Sequence, residues 1–229
     1  MNMETGNGWK QFVGKETPST VELNELFFTN VPAGSKIVDF GCAWGRIAFE
    51  LQKRGYSVSG FDINENSIEY AKENAIKTNA KYPEKLHFRI ADALNLPYKA
   101  NIFDACILQA FLTTITSPEA RTKVIEEASR VLVPGGILYL ADFGQNWKNP
   151  LYKERYLRDY ASTGEKGTFF VTEDGAEHGK ELFLVHHYTL KELKQLVQTR
   201  FNLEIIRKTS FKTFHGNDTL GYILLAKKI

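Results

Sequence analysis

Short apolar runs alternate with longer amphipathic segments along the first two thirds of the chain. Five runs have the length and composition of buried strands: 36–40, 56–61, 86–90, 103–108 and 137–141. Three segments with helical periodicity lie between them: 44–54, 64–79 and 118–132. The last helix has the clearest ends, because Ser117 is a favoured N-cap, Pro118 suits a first turn and Pro134-Gly135 stops a helix. Strands that alternate with helices predict a parallel α/β sheet.

The alternation stops after the fifth strand, and we interpret residues 144–188 as an insertion. A helix is predicted at about 149–160. Two short apolar runs at 168–172 and 181–185 flank turn residues that include Asp174-Gly175, which predicts a β-hairpin. The insertion is therefore expected to carry secondary structure of its own.

The chain closes with one helix and two strands. Thr189 is a favoured N-cap for a helix that ends near residue 199, and apolar runs follow at 202–212 and 219–227. The short link between these runs favours antiparallel pairing. The predicted fold is a Rossmann-like three-layer αβα sandwich in one domain over residues 1–229. Its seven-stranded sheet is mostly parallel, its last strand is antiparallel, and the insertion follows strand 5.

Charge and cysteine content exclude several classes of protein. The 29 basic and 27 acidic residues leave a net charge of only +2, which gives no support for a nucleic-acid or membrane-surface partner. Cys42 and Cys106 lie in apolar runs without the spacing of a disulfide framework or a metal site. Neither a signal peptide nor an apolar span of about 18 residues is present, so we expect a cytoplasmic protein. A monomer and a homodimer both remain open.

Candidate chemistry begins where the first strand runs into a glycine-rich turn. Asp39 lies near the end of this strand, two residues before Gly41, and Gly41 and Gly45 lie in the turn before the next helix. Ligands of open α/β sheets bind at such strand ends, and glycine lets them approach the backbone closely. Asp62 ends the next strand, about 20 residues further on, where a carboxylate can accept hydrogen bonds from both ribose hydroxyls.

These features fit either a dinucleotide or another adenosine cofactor. The dinucleotide fingerprint requires glycine at two positions that are Ala43 and Arg46 here. Asp39 would repel a pyrophosphate but attract an ammonium or sulfonium group. The pattern therefore favours a cationic adenosine cofactor over a nicotinamide dinucleotide.

Further segments extend this pattern: Ala91-Asp92-Ala93 after the third strand, Phe103-Asp104 at the start of the fourth, and Val131-Leu-Val-Pro-Gly-Gly136 before the fifth. With them, residues 33–142 closely resemble the class I S-adenosylmethionine-dependent methyltransferases, although Ala43 replaces the usual middle glycine. The resemblance implies S-adenosyl-L-methionine as cofactor and S-adenosyl-L-homocysteine as product. It assigns these residues to the cofactor: Asp39, Gly41, Cys42, Ala43, Gly45, Arg46, Asp62, Ile63, Asp92, Ala93 and Gln109.

Within that set, the resemblance places the amino-acid part of the cofactor on the turn from Gly41 to Gly45. It also implies that Asp62 binds the ribose, that Asp92 binds the adenine amino group and that Gln109 lies beside the methionine part. Cys42 is expected to contribute its backbone N–H, since no base adjoins its thiol.

The catalytic candidates lie at the end of the insertion. His186 and His187 follow the second hairpin strand, and strand alternation would send their side chains to opposite faces. A general base is needed only when the acceptor must lose a proton during attack. We favour His187 as the residue that faces the acceptor.

Aromatic residues of the insertion and of the N-terminal arm are further candidates to line the site. Trp147, Tyr152, Tyr156 and Tyr160 follow helical spacing, which indicates an aromatic face packed on the domain or, alternatively, an aromatic cage for the acceptor. From the N-terminal arm, Trp9 and Phe12 are candidates to close over the cofactor.

The class of acceptor is predicted mainly from methyltransferase motifs that the sequence lacks. Leu108-Gln109-Ala110-Phe111 does not match the Asn/Asp-Pro-Pro-Tyr/Phe sequence of amine and amide methylation, and no Pro-Cys pair supports cytosine C5 methylation. The insertion carries six basic and seven acidic residues, which does not suit an RNA surface. We expect O- or N-methylation of a small molecule. A macromolecular acceptor, such as a tRNA base or a peptide, and a non-catalytic adenosine-ligand-binding protein are the alternatives.

Overall fold

A computed structural model describes residues 12, 22–77, 83–173, 179–213 and 215–229 of the chain. The strands of this described part are β1 Lys36–Phe40, β2 Ser57–Asp62, β3 Leu86–Ile90, β4 Phe103–Gln109, β5 Leu132–Phe143, β6 Thr168–Thr172, β7 Glu181–His186, β8 Phe201–Lys212 and β9 Asp218–Lys228. The α-helices are α1 Glu25–Asn30, α2 Arg46–Lys53, α3 Glu65–Lys77, α4 Pro118–Val131, α5 Pro150–Thr163 and α6 Leu190–Val197. None of these helices is long and apolar enough to cross a membrane.

Seven of the strands form one sheet in the order β3-β2-β1-β4-β5-β9-β8. Neighbours from β3 to β5 pair in parallel, whereas β9 pairs antiparallel with both β5 and β8. The reversed strand is therefore the last in the chain and lies second from the edge. This topology confirms the predicted fold class, including the antiparallel pairing of the two closing strands.

Alternating side chains of the central strands build a separate core on each face of the sheet. On β4, for example, Ile107 belongs to the core beneath α1 and α2, while Leu108 belongs to the core beneath α4 and α6. Phe27 of α1 and Leu51 of α2 are buried in the first core, and Leu193 of α6 is buried in the core on the opposite face. Period-2 alternation thus yields three layers from one apolar sheet.

Local capping explains where several helices begin. The Ser117 side chain accepts the backbone N–H of Ala120 at 3.2 Å, with Pro118 in the first turn of α4, as predicted. Thr189 and Glu192 form a reciprocal capping box at α6. Helix α1 was not predicted, since its six residues are too few for a clear period.

The insertion forms a helix and a separate antiparallel hairpin. Strands β6 and β7 pair with each other, as predicted, and the turn at Asp174-Gly175 lies outside the described residues. Helix α5 packs on this hairpin through an apolar cluster: Tyr152, Tyr156, Phe169, Val171, Phe183 and Val185. The insertion therefore has a small core of its own, beside the carboxyl ends of the sheet strands.

Candidate active site

One cavity joins the carboxyl ends of the central strands to the underside of the insertion. All of the predicted cofactor residues line it except Gly45, which is the N-cap of α2. Its far wall comes from the end of β5, at Phe143, and from insertion residues that include Tyr152, Phe169 and His187. The structure thus brings the predicted cofactor residues and one predicted catalytic residue into a single space.

The glycine-rich turn has a backbone that most residues adopt with difficulty. Gly41 and Gly45 have φ values of 64° and 85°, in the left-handed region. A Cβ at Gly41 would meet the ring of Phe111, and one at Gly45 would lie 2.8 Å from Cζ of Phe88. Ala43 also has a positive φ of 47°, so alanine occupies a conformation that favours glycine. Tight backbone geometry explains why this turn is glycine-rich.

Asp62 ties the turn to the end of β2. Its Oδ2 accepts the backbone N–H of Ala43 at 2.9 Å, and its Oδ1 accepts that of Asn64 at 2.9 Å. Burial raises the pKa of this carboxyl, although both backbone N–H groups oppose the shift. Asn64 rather than Asp62 caps α3, because Asn64 Oδ1 accepts the N–H of Ser67 at 3.1 Å. Asp62 is therefore held rigidly at the cavity wall.

Asp39 is a buried acid with one uncommitted oxygen. The residue is 2% exposed, and no described residue gives its Oδ2 a hydrogen-bond partner. Burial raises its pKa to about 7; the charge of Arg46 opposes this shift and that of Asp62 adds to it. Burial of an ionised carboxylate costs free energy, and a nearby positive charge lowers that cost. The residues present therefore fit a cofactor that carries an ammonium or sulfonium group.

The other predicted cofactor residues are placed consistently with this end of the cavity. Asp92 is exposed at the rim, where its Oδ1 accepts the N–H of Leu94 at 2.9 Å. Gln109 donates from Nε2 to the carbonyl of Glu22 at 2.8 Å. Burial raises the pKa of the Cys42 thiol well above its usual value, which leaves that thiol un-ionised and unsuited to nucleophilic attack.

A family model described as a methyltransferase domain matches residues 32–203, which contain this whole arrangement except the closing strands. A solved S-adenosylmethionine-dependent methyltransferase from Methanosarcina mazei is 36% identical. That alignment covers 91% of this chain and 99% of the other, with a TM-score of 0.83. The chain belongs to the class I S-adenosylmethionine-dependent methyltransferases. The methyltransferase therefore uses S-adenosyl-L-methionine as its cofactor.

Two curated relatives act on different kinds of acceptor. The 27-O-demethylrifamycin SV methyltransferase of Amycolatopsis mediterranei is 37% identical over 128 residues, which are 55% of this chain and 45% of that protein. A tRNA (carboxymethyluridine(34)-5-O)-methyltransferase of Mus musculus is 29% identical over 134 residues, which are 58% of this chain and 18% of that protein. The methyltransferase thus spans less than half the length of either relative.

His187 lies in the insertion wall of the cavity, surrounded by aromatic rings. Its ring stacks on Phe143 with centroids 5.4 Å apart and meets the edge of Phe169 at 4.9 Å. Its Nδ1 lies 2.8 Å from the hydroxyl of Tyr156. Burial lowers the pKa of His187 to about 3, reinforced by the charges of His186 and Arg155. The imidazole is therefore neutral at physiological pH.

His186 points to the opposite side of β7 and does not line the cavity. Its Nδ1 lies 3.1 Å from Oε2 of Glu165 and 2.7 Å from the hydroxyl of Thr168. Arg121 binds both oxygens of Glu165, at 2.6 and 2.9 Å. This buried network joins α4 to the insertion. Strand alternation thus separates two adjacent histidines into an anchoring group and a cavity group.

Several wall residues have no clear signal in the sequence. Arg155 and His215 both line the cavity, yet each reads as an ordinary surface residue when only its neighbours in the chain are known. The helical spacing of Tyr152 and Tyr156 is the one clue, because Arg155 lies on the same face of α5.

The predicted row of aromatic residues on the insertion divides in the structure. Tyr152 and Tyr156 are buried in the core of the insertion, whereas Trp147 is 37% and Tyr160 is 47% exposed. Phe12 contacts Phe183 with ring centroids 5.7 Å apart. Trp9, the other candidate from the N-terminal arm, lies outside the described residues.

Proposed function

We propose that this methyltransferase transfers a methyl group to an oxygen or nitrogen atom of a small molecule. The acceptor binds between the cofactor strands and the insertion, residues 144–188, which serves as the substrate cap. The supporting observation is the continuity of the cavity: strand-end residues that suit the cofactor and the aromatic wall that includes Tyr152 and Phe169 line the same space. An aromatic wall suits a small, largely apolar acceptor.

When bound, S-adenosyl-L-methionine supplies a methyl group already activated on a sulfonium, for direct in-line displacement. The protein then has to bind, orient and exclude water. We assign Asp39 to the cationic group of the methionine part, Asp62 to the ribose hydroxyls and Asp92 to the adenine edge. Arg46, at the start of α2 beside Asp39, suits the carboxylate of the methionine part.

His187 is the residue that we propose contacts the acceptor. With a pKa of about 3, it is a weak base and a poor holder of an abstracted proton. Tyr156 accepts the backbone N–H of Asn146 at its hydroxyl oxygen, at 3.2 Å, and its own proton is then available to Nδ1 of His187. We assign the imidazole proton to Nε2, so that His187 donates a hydrogen bond to the acceptor.

Methyl transfer from labelled cofactor distinguishes this function from the alternatives. The protein is incubated with total tRNA in one reaction and with a low-molecular-weight cell extract in another. We expect label in the small-molecule fraction only, and none with the Asp62→Ala variant, whose cofactor site is damaged. Incorporation into tRNA at low enzyme concentration would instead support the macromolecular acceptor, in line with the tRNA-modifying relative. Tight S-adenosyl-L-homocysteine binding without any transfer would support the non-catalytic alternative.

A further inference from the structure

Residues 112–116, which we call the cavity loop, lie between β4 and α4 and form part of the cavity wall. Thr113, Thr114 and Ile115 of this loop line the cavity. The loop begins with a single turn of 3₁₀ helix at Leu112–Thr114. One helical turn is not stable by itself, because few hydrogen bonds offset the entropy lost in ordering it. The geometry of the cavity loop therefore depends on groups from other parts of the fold.

Two buried side chains hold the first part of the cavity loop. The hydroxyl of Tyr188 donates to the carbonyl of Leu112 at 2.7 Å, and Oδ2 of Asp142 accepts the backbone N–H of Thr113 at 3.1 Å. Asp142 lies in β5, whereas Tyr188 follows the second strand of the insertion. The first part of the loop is thus bound both to the sheet and to the end of the insertion.

Arg121 of α4 holds the second part of the loop and binds the insertion at the same time. Its Nε donates to the carbonyl of Ile115 at 2.7 Å, and its Nη2 donates to that of Thr116 at 2.9 Å. Nη1 and Nη2 also donate to the two carboxylate oxygens of Glu165, at 2.6 and 2.9 Å. A planar guanidinium can make these four hydrogen bonds together, whereas a lysine ammonium has only three donors. Arg121 therefore connects the cavity loop directly to the insertion.

Glu165 extends this connection to the aromatic wall. The hydroxyl of Thr168, the first residue of β6, donates to Oε2 of Glu165 at 2.6 Å, and the next residue, Phe169, lines the cavity. Burial raises the pKa of Glu165, but its contacts with His186 and Arg121 lower that pKa overall, so the carboxylate is ionised at neutral pH. Charge-assisted hydrogen bonds of this kind are strong, and removal of one partner from a buried pair is costly.

Arg121 is buried and is not among the described residues that line the cavity. It can act on the reaction only through residues that do line it, such as Ile115 and Phe169. We infer that Arg121 is a positioning residue for methyl transfer, which holds the cavity loop against the insertion and so fixes the space in which the acceptor binds. This inference rests on the proposed function, since it takes the space between the cofactor strands and the insertion as the acceptor site.

Amide hydrogen exchange tests the connection without an acceptor. In the full chain saturated with S-adenosyl-L-homocysteine, Arg121→Met should increase exchange in residues 168–172 and 181–186 by about tenfold or more, as the loss of charge-assisted hydrogen bonds predicts. Arg130→Met is the matched control, because Arg130 lies on the same helix and binds Glu127 and two backbone carbonyls outside the insertion. It should leave exchange in both strands unchanged. Wild-type exchange in Arg121→Met, or an equal increase in both variants, would overturn the inference.

Arg121→Lys is measured in the same way, so that the test stands even if Arg121→Met does not fold. The lysine keeps the positive charge but cannot replace the planar set of donors. We expect the same strands to exchange faster than in the wild type, by a smaller factor than in Arg121→Met. Wild-type exchange in Arg121→Lys, with Arg121→Met unfolded, would also overturn the inference.

Transfer kinetics test the positioning role itself. The low-molecular-weight cell extract is the source of acceptor, and its amount is varied at saturating labelled S-adenosyl-L-methionine. We expect Arg121→Lys to raise the amount of extract that gives the half-maximal rate by about fivefold, with the KM for S-adenosyl-L-methionine unchanged. Arg130→Met should change neither value.

A purely structural role for Arg121 would give a different result. It would lower the maximal rate in proportion to the loss of folded protein, measured by S-adenosyl-L-homocysteine titration, and would leave both half-saturation values as in the wild type. That result would overturn the inference. Absence of label from the small-molecule fraction with the wild type would instead contradict the proposed function, and the exchange experiment would still decide whether Arg121 holds the insertion.

Discussion

The strand-end and insertion halves of the cavity are built in different ways. The strand-end half is mainly backbone: a turn with left-handed residues at Gly41 and Gly45, held by a carboxylate that accepts two N–H groups. The insertion half is made of side chains from α5, β6 and β7, packed around a small aromatic core. Backbone geometry restricts residue choice tightly at the turn, whereas side chains set the shape and polarity of the insertion wall. The first half therefore suits a constant cofactor and the second a particular acceptor.

The adjacent histidines show the same contrast within two residues. His186 is held by Glu165 and Thr168 in a network that anchors the insertion, and His187 faces the cavity with one ring nitrogen bound to Tyr156. Both are buried, so burial alone does not identify the residue that meets the acceptor. The direction in which each side chain leaves the strand shows that His187 faces the cavity and His186 does not.

Replacement of Asp62 should break the strand-end half most severely. We expect Asp62→Ala to weaken S-adenosyl-L-homocysteine binding by about 100-fold or more, because the variant loses the ribose hydrogen bonds and two backbone contacts that hold the turn. Asp62→Asn keeps one acceptor oxygen and should bind with intermediate affinity. Calorimetric titration measures both, and NADH should not bind the wild type. Wild-type affinity in Asp62→Ala would contradict the ribose assignment.

Replacement of His187 should affect only the insertion half. We expect His187→Ala to lower methyl-transfer turnover by about tenfold through the loss of one hydrogen bond to the acceptor, with S-adenosyl-L-homocysteine affinity nearly unchanged. His186→Ala is the matched control: it should lower the melting temperature while the folded enzyme keeps its rate. Steady-state kinetics and thermal melts separate the two effects. An unchanged rate in His187→Ala, or lost cofactor binding, would show that its assigned role is wrong.

A change of pH should produce an effect of similar size, this time in the strand-end half. The pKa of Asp39 in the free protein is about 7, and a cationic group of the cofactor favours the ionised form. Affinity for S-adenosyl-L-homocysteine should therefore rise by about tenfold between pH 6 and pH 8 and level off above that. Asp39→Asn should remove this dependence. Asp142→Asn should keep it, since burial also raises the pKa of Asp142 to about 7 but Asp142 does not line the cavity.

Stability should respond to pH in the opposite sense. The folded state binds an extra proton at Asp39 between its ordinary pKa of 3.8 and its folded value of about 7. The contribution of Asp39 to the free energy of unfolding therefore falls as pH rises through that range. Denaturant titrations at pH 5 and pH 8 should show a smaller difference for Asp39→Asn than for the wild type, and an equal difference would contradict the raised pKa.

Most of the fold could be predicted because its signals are local. The strands at Lys36–Phe40, Leu86–Ile90 and Thr168–Thr172 have the predicted bounds, and the end of α4 differs by one residue. Apolar runs, N-caps and proline-glycine stops act within a few residues, so the chain around them is sufficient evidence. Helix α1 was missed because its short length leaves its position to contacts such as that of Phe27 with Tyr139, whose ring centroids lie 5.7 Å apart.

The amino-acid sequence alone determined the architecture and the residues of the strand-end half of the cavity, since the turn and Asp62 meet local backbone requirements. The tertiary structure decided which histidine faces the cavity and that Arg155 joins its wall. It also decided that Asp39 is buried enough to shift its pKa to about 7. These properties depend on which distant segments exclude water from a side chain and which charges lie beside it in space. Burial and electrostatic interactions of this kind arise only when the chain is folded.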